Sequence, residues 1–238
     1  MMDPIRILSY NLRSGLSMNG ELNIQRQAEV IKTLAPDVAG LQEVRIRKDL
    51  PEEQGDQPAI LAEETAMRAY FGRTIDCNDF EYGIGVLSRC PSELMEVELL
   101  PQPETMEQRA VIVVKVRHGN KNFYMVNTHL VFEDDAENVR VKQLQAITKL
   151  VKEKGYIPAV LTGDFNAKPE AESIQYLAGE WGMTDLTEFS FPAATPRIRI
   201  DYIAWYPKDA FTLEKLEVVN EPEASDHRPV FADLTPNC

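Results

Sequence analysis

The sequence is poor in cysteine, in basic residues and in long apolar runs. Its three cysteines, Cys77, Cys90 and Cys238, are too few and too scattered for a disulfide framework or a zinc site, and they indicate reduced thiols. No window approaches the roughly 18 uninterrupted apolar residues of a membrane-spanning helix. Internal repeats and Pro-, Gly- or Ser-rich linkers are also absent. These absences exclude a disulfide-stapled scaffold, a helical membrane protein and a repeat array.

Basic residues are fewer than acidic ones: the chain has 25 basic and 38 acidic residues, which gives a net charge of −13. Such a surface repels polyanions, and it argues mildly against a protein that holds nucleic acid by charge alone. Clusters of carboxylates can instead bind hard cations. The hydrophobic fraction of 44% is that of a globular protein.

Short apolar runs bounded by turn residues predict at least eight strands, with helices inserted singly between them. The strands are predicted at 5–10, 38–42, 82–87, 110–116, 123–127, 159–162, 200–205 and 229–234. The helices are predicted at 24–35, from 58 towards 70, around 139–151 and from 169 onwards. Loops are predicted at 51–57, 101–108 and 187–199. Without a linker, the pattern predicts one α/β domain over residues 1–238.

Polar side chains that can bind metal or move protons stand at the ends of these predicted strands. Taken singly, Asn11 could form a turn, Glu43 could lie on a solvated face, and His129 could be structural. Asp201 must be buried or partnered, because it lies between apolar strand residues. Rigid strands aim side chains and loops give access, so the whole set predicts one site. Its members are Asn11, Glu43, His129, Asp164, Asn166, Asp201, Asp226 and His227.

The chemistry of this set is that of phosphate ester hydrolysis. Hard oxygen ligands without thiolates select Mg²⁺ or Mn²⁺, with Ca²⁺ as a further candidate. A histidine beside a metal-binding carboxylate can act as a general base when a second carboxylate orients its ring. Asparagine amides can stabilise a phosphate oxygen that gains charge in the transition state. Together these parts predict metal-assisted attack by an activated water.

Six short motifs, given at the end of this paragraph in their order along the chain, resemble those of the endonuclease/exonuclease/phosphatase superfamily. That superfamily includes deoxyribonuclease I, abasic-site endonucleases, sphingomyelinases and inositol-polyphosphate phosphatases. The resemblance extends from residue 5 to residue 234, and its general character is that of small bacterial hydrolases of the family. It implies a deoxyribonuclease I-like four-layer sandwich, in which two packed, mainly antiparallel sheets are flanked by helices. The motifs are Ser9-Tyr10-Asn11, Leu41-Gln42-Glu43, Asn127-Thr128-His129-Leu130, Gly163-Asp164-Phe165-Asn166, Ile200-Asp201-Tyr202-Ile203 and Ser225-Asp226-His227-Arg228-Pro229-Val230.

The resemblance also implies a role for each residue that matches a motif. Glu43 would be the principal metal ligand, with Asn11 and Asp226 beside it. Asp164 would position or deprotonate the attacking water, and Asn166 would stabilise the transition state.

The histidines and a few flanking residues complete the implied site. His227 would contact the scissile phosphate or act as base, held by Asp201. His129 would be a second acid or phosphate contact, and Glu81 is the carboxylate expected to support it. Substrate phosphate would be contacted by Arg109, and also by Asn11.

The favoured function is a divalent-metal-dependent phosphodiesterase, acting on nucleic acid or on a small phosphodiester. The alternatives are a lipid or inositol-phosphate phosphatase, or phospholipase C-type hydrolase, of the same family, and a binding protein that has lost catalysis. Basic groups near the motif loops could guide nucleic acid (Arg45, Arg47, Lys48, Arg197 and Arg199), whereas the acidic run at 133–135 would repel it. No protein partner is evident. Localisation stays open: cytoplasmic by default, exported if a leader was removed.

Overall fold

Two sheets packed face to face form the body of the protein in a computed structural model that describes residues 3–184 and 188–237. Within these residues each sheet has six strands, and each contains one parallel pair among antiparallel neighbours. The first sheet has the order β11-β12-β1-β2-β4-β3, with β1 Ile5–Asn11, β2 Val38–Arg47, β3 Arg68–Asp76, β4 Phe80–Ser88, β11 Phe211–Val218 and β12 Val230–Pro236. The second has the order β5-β6-β7-β8-β10-β9, with β5 Ser92–Leu99, β6 Ala110–His118, β7 Lys121–His129, β8 Ala159–Asp164, β9 Gly182–Met183 and β10 Asp201–Tyr206.

Helices cover the outer face of each sheet and complete four layers. Their bounds are α1 Ile24–Leu34, α2 Glu52–Gly55, α3 Gln57–Thr65, α4 Glu137–Lys154 and α5 Glu172–Glu180. Apolar residues of α1 and α3 pack with the outer face of the first sheet, and those of α4 and α5 pack with the second. The Asn23 side chain caps α1 by accepting from the Arg26 N–H, and Ala35 ends that helix in a left-handed conformation. No described helix is long and apolar enough to span a bilayer.

The layer between the sheets is apolar over most of its length and polar at one end. Because side chains alternate along a strand, every second residue faces this layer. Along β7 these are Phe123 and Met125, which pack in the core, and then Asn127 and His129. The same change from apolar to polar occurs along β1, β2 and β8, and the antiparallel β10 begins at the polar end with Asp201. The polar end of the inter-sheet layer is therefore where the predicted site residues can meet.

All eight predicted strands are present, and the predicted four-layer sandwich is confirmed. Four strands were missed, and they are the edge strands of the two sheets: β3, β5, β9 and β11. Edge strands are half exposed and carry many polar residues, so their apolar pattern is weak.

Three boundary predictions need correction. The helix expected to run from 58 towards 70 ends at Thr65, because Ala66 is left-handed and β3 begins at Arg68. The predicted loop at 51–57 contains α2 and the start of α3, and the helix expected from 169 begins at Glu172. Cys77 and Cys90 are free thiols, whereas Cys238 and Thr187, the first residue of a predicted loop, lie outside the described residues.

Candidate active site

Asn11, at the end of β1, joins two acidic groups at the polar end of the layer. Its Nδ2 donates to Glu43 Oε1 at 3.1 Å and to Asp164 Oδ2 at 3.0 Å. Asp226 is brought alongside because the neighbouring Ser225 hydroxyl donates to the Asn11 carbonyl at 2.7 Å. The Asp226 carboxylate lies 3.4 Å from the Arg13 guanidinium. Two carboxylates are thus bonded to the Asn11 amide, and a third, from a separate segment, lies nearby.

A bulge in β2 aims Glu43 into this group. Leu41 pairs with Gly85 and Val44 with Gly83, so two residues of β2 stand opposite one residue of β4. Leu41 and Val44 therefore both face the outer helices, and Glu43, with a φ of 55°, turns towards Asn11. Burial raises the pKa of Glu43, and repulsion from Asp226 adds to the shift, although the Asn11 hydrogen bond opposes it.

His227 lies between two buried carboxylates. Its Nδ1 donates to Asp201 Oδ2 at 2.9 Å, and its Nε2 lies 3.6 Å from Asp164 Oδ2. The Ser190 hydroxyl donates to the same Asp201 oxygen. Burial alone would lower the pKa of His227, but Asp201 and Asp164 outweigh it and raise the pKa to about 10. The predicted contact between Asp201 and His227 is therefore present, with the ring positively charged.

His129 has the opposite charge state although it approaches the same Asp164 oxygen. Its Nδ1 lies 3.1 Å from Arg109 Nη1, and its Nε2 lies 3.4 Å from Asp164 Oδ2. A guanidinium can only donate, so Nδ1 accepts and the proton of the neutral ring is on Nε2. Burial, together with the Arg109 cation, holds the pKa of His129 well below its usual range. Asn166 Nδ2 donates to the Leu130 carbonyl and lies 3.0 Å from Nε2, but these two nitrogens do not bond because both are donors in this tautomer.

The expected support of His129 by Glu81 is wrong. Glu81 lies on the part of β4 beyond the bulge and forms ion pairs with Lys48 and Arg73. Arg109, which is 3% exposed and paired with Glu107 at 2.7 Å, occupies the position beside the His129 ring. A cation thus takes the place of the expected carboxylate, and it adds to burial in lowering the pKa of His129.

The turn after β8 places Asp164 and Asn166 together. Asn166 has a left-handed φ of 49°, and its backbone N–H donates to Asp164 Oδ1 at 3.0 Å. Between them Phe165 points to the opposite side and stacks on Tyr202, with 5.3 Å between ring centroids. Gly163 has no side chain because a Cβ there would overlap the Thr128 carbonyl and the Phe165 ring. Local packing therefore fixes the spacing of the two polar residues.

Three further residues of the site were not predicted. They are Ser190 beside Asp201, Arg13 beside Asp226, and Tyr82, whose hydroxyl contacts Arg109. The first two lie outside the predicted strands, where spacing gives no information about direction. Tyr82 is in a predicted strand, but a buried tyrosine in a strand has the pattern of an ordinary core residue.

Basic residues near the motif loops are mostly engaged by neighbours. Arg45 lies over the Phe80 ring, Arg47 pairs with Asp49, Lys48 pairs with Asp76 and Glu81, and Arg199 donates to the Thr184 carbonyl. Arg197 is exposed, as are Asp134 and Asp135 of the acidic run. The surroundings of the site are therefore not a strongly basic surface.

The donor groups at the opening fit a divalent cation. Glu43 and Asp226 offer carboxylate oxygens of the kind that Mg²⁺ and Mn²⁺ prefer. Asn11 does not present an oxygen beside them, because its Oδ1 accepts from the Arg13 N–H and its Nδ2 donates to Glu43. A cation there would relieve the repulsion between the two carboxylates. Ligand atoms of Asp164, Asp201 and His227 also lie within 4.8 Å of one another. That cluster fits less well, because a ligating histidine must be neutral and both nitrogens of His227 face carboxylates.

Comparison with known proteins identifies the family. The family model described as "Endonuclease/Exonuclease/phosphatase family" matches residues 8–227. The chain belongs to this family. Members of the endonuclease/exonuclease/phosphatase family hydrolyse phosphate esters and generally depend on a divalent metal.

Individual relatives cover the chain to different extents. The Drosophila melanogaster protein angel is 35% identical over 74 residues, which are 31% of this chain and about a fifth (21%) of that protein. The crystal structure of an endonuclease/exonuclease/phosphatase from Beutenbergia cavernae DSM 12333 is 25% identical, with a TM-score of 0.81 over 98% of this chain and 72% of the other. A mannosyl-6-phosphatase of Bacteroides thetaiotaomicron VPI-5482 is 18% identical, with a TM-score of 0.75 over 97% and 99% of the two chains. The last similarity establishes the fold alone.

Proposed function

We propose that this protein is a divalent-metal-dependent phosphodiesterase that uses Asp164 to activate water. The observation that carries the proposal is the environment of Asp164 Oδ2, which lies 3.0 Å from Asn11 Nδ2, 3.4 Å from His129 Nε2 and 3.6 Å from His227 Nε2. A buried carboxylate that meets a charged and a neutral histidine is suited to proton transfer. We further propose that residues 1–238 act as one domain, which the family match over 8–227 supports.

Glu43 and Asp226 would hold the cation, Mg²⁺ or Mn²⁺ in this proposal, at the opening of the site, while Asn11 orients the Glu43 carboxylate through its Nδ2. When bound, the ion supplies a Lewis acid that neutralises charge on the phosphate. Asp164 takes the proton of the attacking water, and burial suits it to this task by raising its pKa to about 7. The water oxygen bonds to phosphorus as the bond to the leaving oxygen breaks, and the leaving oxygen takes up a proton from solvent, which yields a phosphate monoester and an alcohol.

The remaining groups stabilise charge on the phosphate oxygens. The His227 ring, held by Asp201, presents a positive charge, and the neutral His129 ring presents an N–H. The Asn166 amide donates to an oxygen that gains charge in the transition state. Arg109 is held against His129, and its positive charge is partly offset by Glu107.

Charge balance favours a diester over a monoester. The two guanidinium groups beside the site are already paired with carboxylates, Arg13 with Asp226 and Arg109 with Glu107. A diester carries one negative charge, whereas a monoester carries nearly two at neutral pH and needs more unpaired positive charge. Because a structural neighbour is a mannosyl-6-phosphatase, a phosphatase of sugar, lipid or inositol phosphates is the alternative.

The first test compares hydrolysis of bis-p-nitrophenyl phosphate and p-nitrophenyl phosphate in Mg²⁺, Mn²⁺, Ca²⁺ or EDTA. We expect metal-dependent cleavage that favours the diester and that falls at least about 100-fold in Glu43→Ala, Asp164→Ala and His227→Ala, because each removes a group that acts in the transition state. Glu81→Ala is the matched control, since this acid lies on a neighbouring strand and pairs with Lys48 and Arg73. It should retain full turnover.

Other outcomes would each contradict a part of the proposal. Preference for the monoester would indicate the phosphatase alternative. A fully active variant would remove that residue from its role. If neither ester were hydrolysed while metal still bound, the chain would be a binding protein on this fold.

A further inference from the structure

Asn127 belongs to the same motif as His129, but its side-chain amide bonds to groups outside the reacting centre. It is fully buried in β7, two residues before His129 on the same face, and it contacts the opposite sheet. Its Nδ2 donates to the Leu41 carbonyl at 2.8 Å and to the Gly85 carbonyl at 3.0 Å. Its Oδ1 accepts from Gln42 Nε2 at 2.7 Å and from the Thr162 hydroxyl at 3.0 Å.

These contacts coincide with the bulge that aims Glu43. Leu41 and Gly85 are the last paired residues of β2 and β4 before the register shifts. The carbonyl of each accepts from the same Asn127 amide, and Gln42 is the first of the two β2 residues in the bulge. A bulge interrupts the ladder and leaves backbone groups that need other partners, so the amide stabilises this irregular geometry.

Glu43 needs such support because its backbone is strained. A φ of 55° is unfavourable for a residue with a side chain, and it persists where the surroundings over-determine it. Gly40 contributes by having no side chain, since a Cβ there would overlap the Asn127 carbonyl oxygen and the Thr162 hydroxyl. The chain thus leaves space for the amide next to the bulge.

We infer that Asn127 is a positioning residue for metal binding, because it crosses from one sheet to the other and holds the β2 bulge in the geometry that presents Glu43. The inference rests on the proposed role of Glu43 as a ligand. Residues that hydrogen-bond around metal ligands typically change metal affinity by about 10- to 100-fold when removed. Asn127 does not contact the Glu43 side chain and acts through the backbone of the bulge that carries Glu43.

The experiment measures Mn²⁺ binding by isothermal titration calorimetry for wild type, Asn127→Ala, Thr128→Val and Glu43→Ala. Thr128→Val is the matched control, because Thr128 is equally buried in the same strand and loses one hydrogen bond, to the Ala110 carbonyl, away from the bulge. We expect Asn127→Ala to bind Mn²⁺ about 10-fold more weakly, and Thr128→Val to bind it as wild type does. Saturating metal should restore most of the kcat of Asn127→Ala.

A second measurement needs no metal. In EDTA, amide hydrogens of residues 38–47 should exchange faster in Asn127→Ala than in Thr128→Val, relative to the rest of each chain. If Asn127→Ala does not fold, Thr162→Val, which removes one hydrogen bond from the Asn127 amide, takes its place with a smaller loss of affinity expected. Unchanged affinity in the folded variant would overturn the inference. Unchanged affinity in Glu43→Ala would instead overturn the ligand assignment of the proposed function.

Discussion

At the scale of single residues, the two histidines of the site have opposite charge because their neighbours differ. His227 has Asp201 at one nitrogen and Asp164 at the other, whereas His129 has a cation, Arg109, at its Nδ1. Both rings are buried, so burial alone would make both neutral. The Asp164 carboxylate therefore lies between a charged donor, His227, and a neutral donor, His129.

This difference predicts opposite effects of pH on stability. The pKa of His129 is held well below its usual range by burial and Arg109, so its contribution is present above a pH of about 6.5 and is lost as the pH falls. Burial opposes the shift at His227, but Asp201 and Asp164 raise its pKa to about 10. The contribution of His227 is therefore present below a pH of about 6.5 and is lost as the pH rises towards 10.

Urea unfolding in EDTA from pH 5.5 to pH 8.5, which spans ~6.5, checks this prediction. Relative to wild type, His129→Asn should gain stability as the pH falls below about 6.5, and His227→Asn should gain it as the pH rises above that value, by at most about 1.4 kcal/mol per pH unit. His118→Asn is the control for the loss of an imidazole, because His118 lies at the end of β6 that is far from the site. Parallel curves for the two site variants would contradict the assigned charges.

At the scale of elements, close approach of the two sheets depends on Gly40. Its position in β2 faces Thr162 of β8 and Asn127 of β7, and there is no space for a Cβ. Gly179, near the end of α5, differs in that nothing described lies close to where its Cβ would be. The two glycines thus have different physical reasons for being small.

Alanine substitutions at Gly40 and Gly179 should change the free energy of unfolding in opposite directions. Gly40→Ala forces the sheets apart and should lower the free energy of unfolding by about 1–3 kcal/mol. Gly179→Ala removes backbone freedom from a helix and should raise it by about 0.5–1 kcal/mol. Equilibrium denaturation of both variants gives the comparison. A neutral Gly40→Ala would mean that the sheets adjust more easily than the packing indicates.

The inner strands could be predicted from sequence because their environment is uniform. Ala110–His118 is buried on both faces over most of its length, and its nearly continuous apolar run has no other explanation. The edge strand β5 has no such pattern, since its exposed face carries both leucine and glutamate. The residues that flank a position in the sequence do not indicate which residue it contacts in the other sheet.

The same distinction applies to the site. Asp201 could be predicted because an acid inside an apolar strand needs a partner, and His227 is that partner. Glu81 could not be excluded, because its distance from His129 depends on the β2 bulge and on how β4 pairs beyond it. Ser190 reaches Asp201 from a loop, where sequence spacing does not determine direction.

At the scale of the whole molecule, negative charge and sheet edges act together. Strand β5 exposes Leu94 and Leu99, which are 42% and 57% exposed, on an edge with unpaired backbone groups. In the symmetric antiparallel pairing of two copies of β5, Glu93 of one copy would face Glu98 of the other. Like charges in direct opposition disfavour the pairing, which is a common protection of edge strands.

Removing that charge should allow self-association. We expect the double variant Glu93→Thr, Glu98→Thr to form larger species as protein concentration rises, and wild type to remain unchanged, by sedimentation velocity. The double variant Glu29→Thr, Glu153→Thr makes the same change in net charge on the exposed faces of two helices. If both double variants self-associated to the same extent, the cause would be the change in net charge and not the loss of charge at the β5 edge.

Assembly of the site from both sheets has a consequence for inactivation. Glu43 and Asn11 belong to one sheet, Asp164 and His129 belong to the other, and Asn127 bonds the two together beneath them. Sliding or parting of the layers would disperse these groups before either sheet lost its own hydrogen bonds. Heat should therefore abolish catalysis before the sheets lose their hydrogen bonds or together with that loss, and not after it.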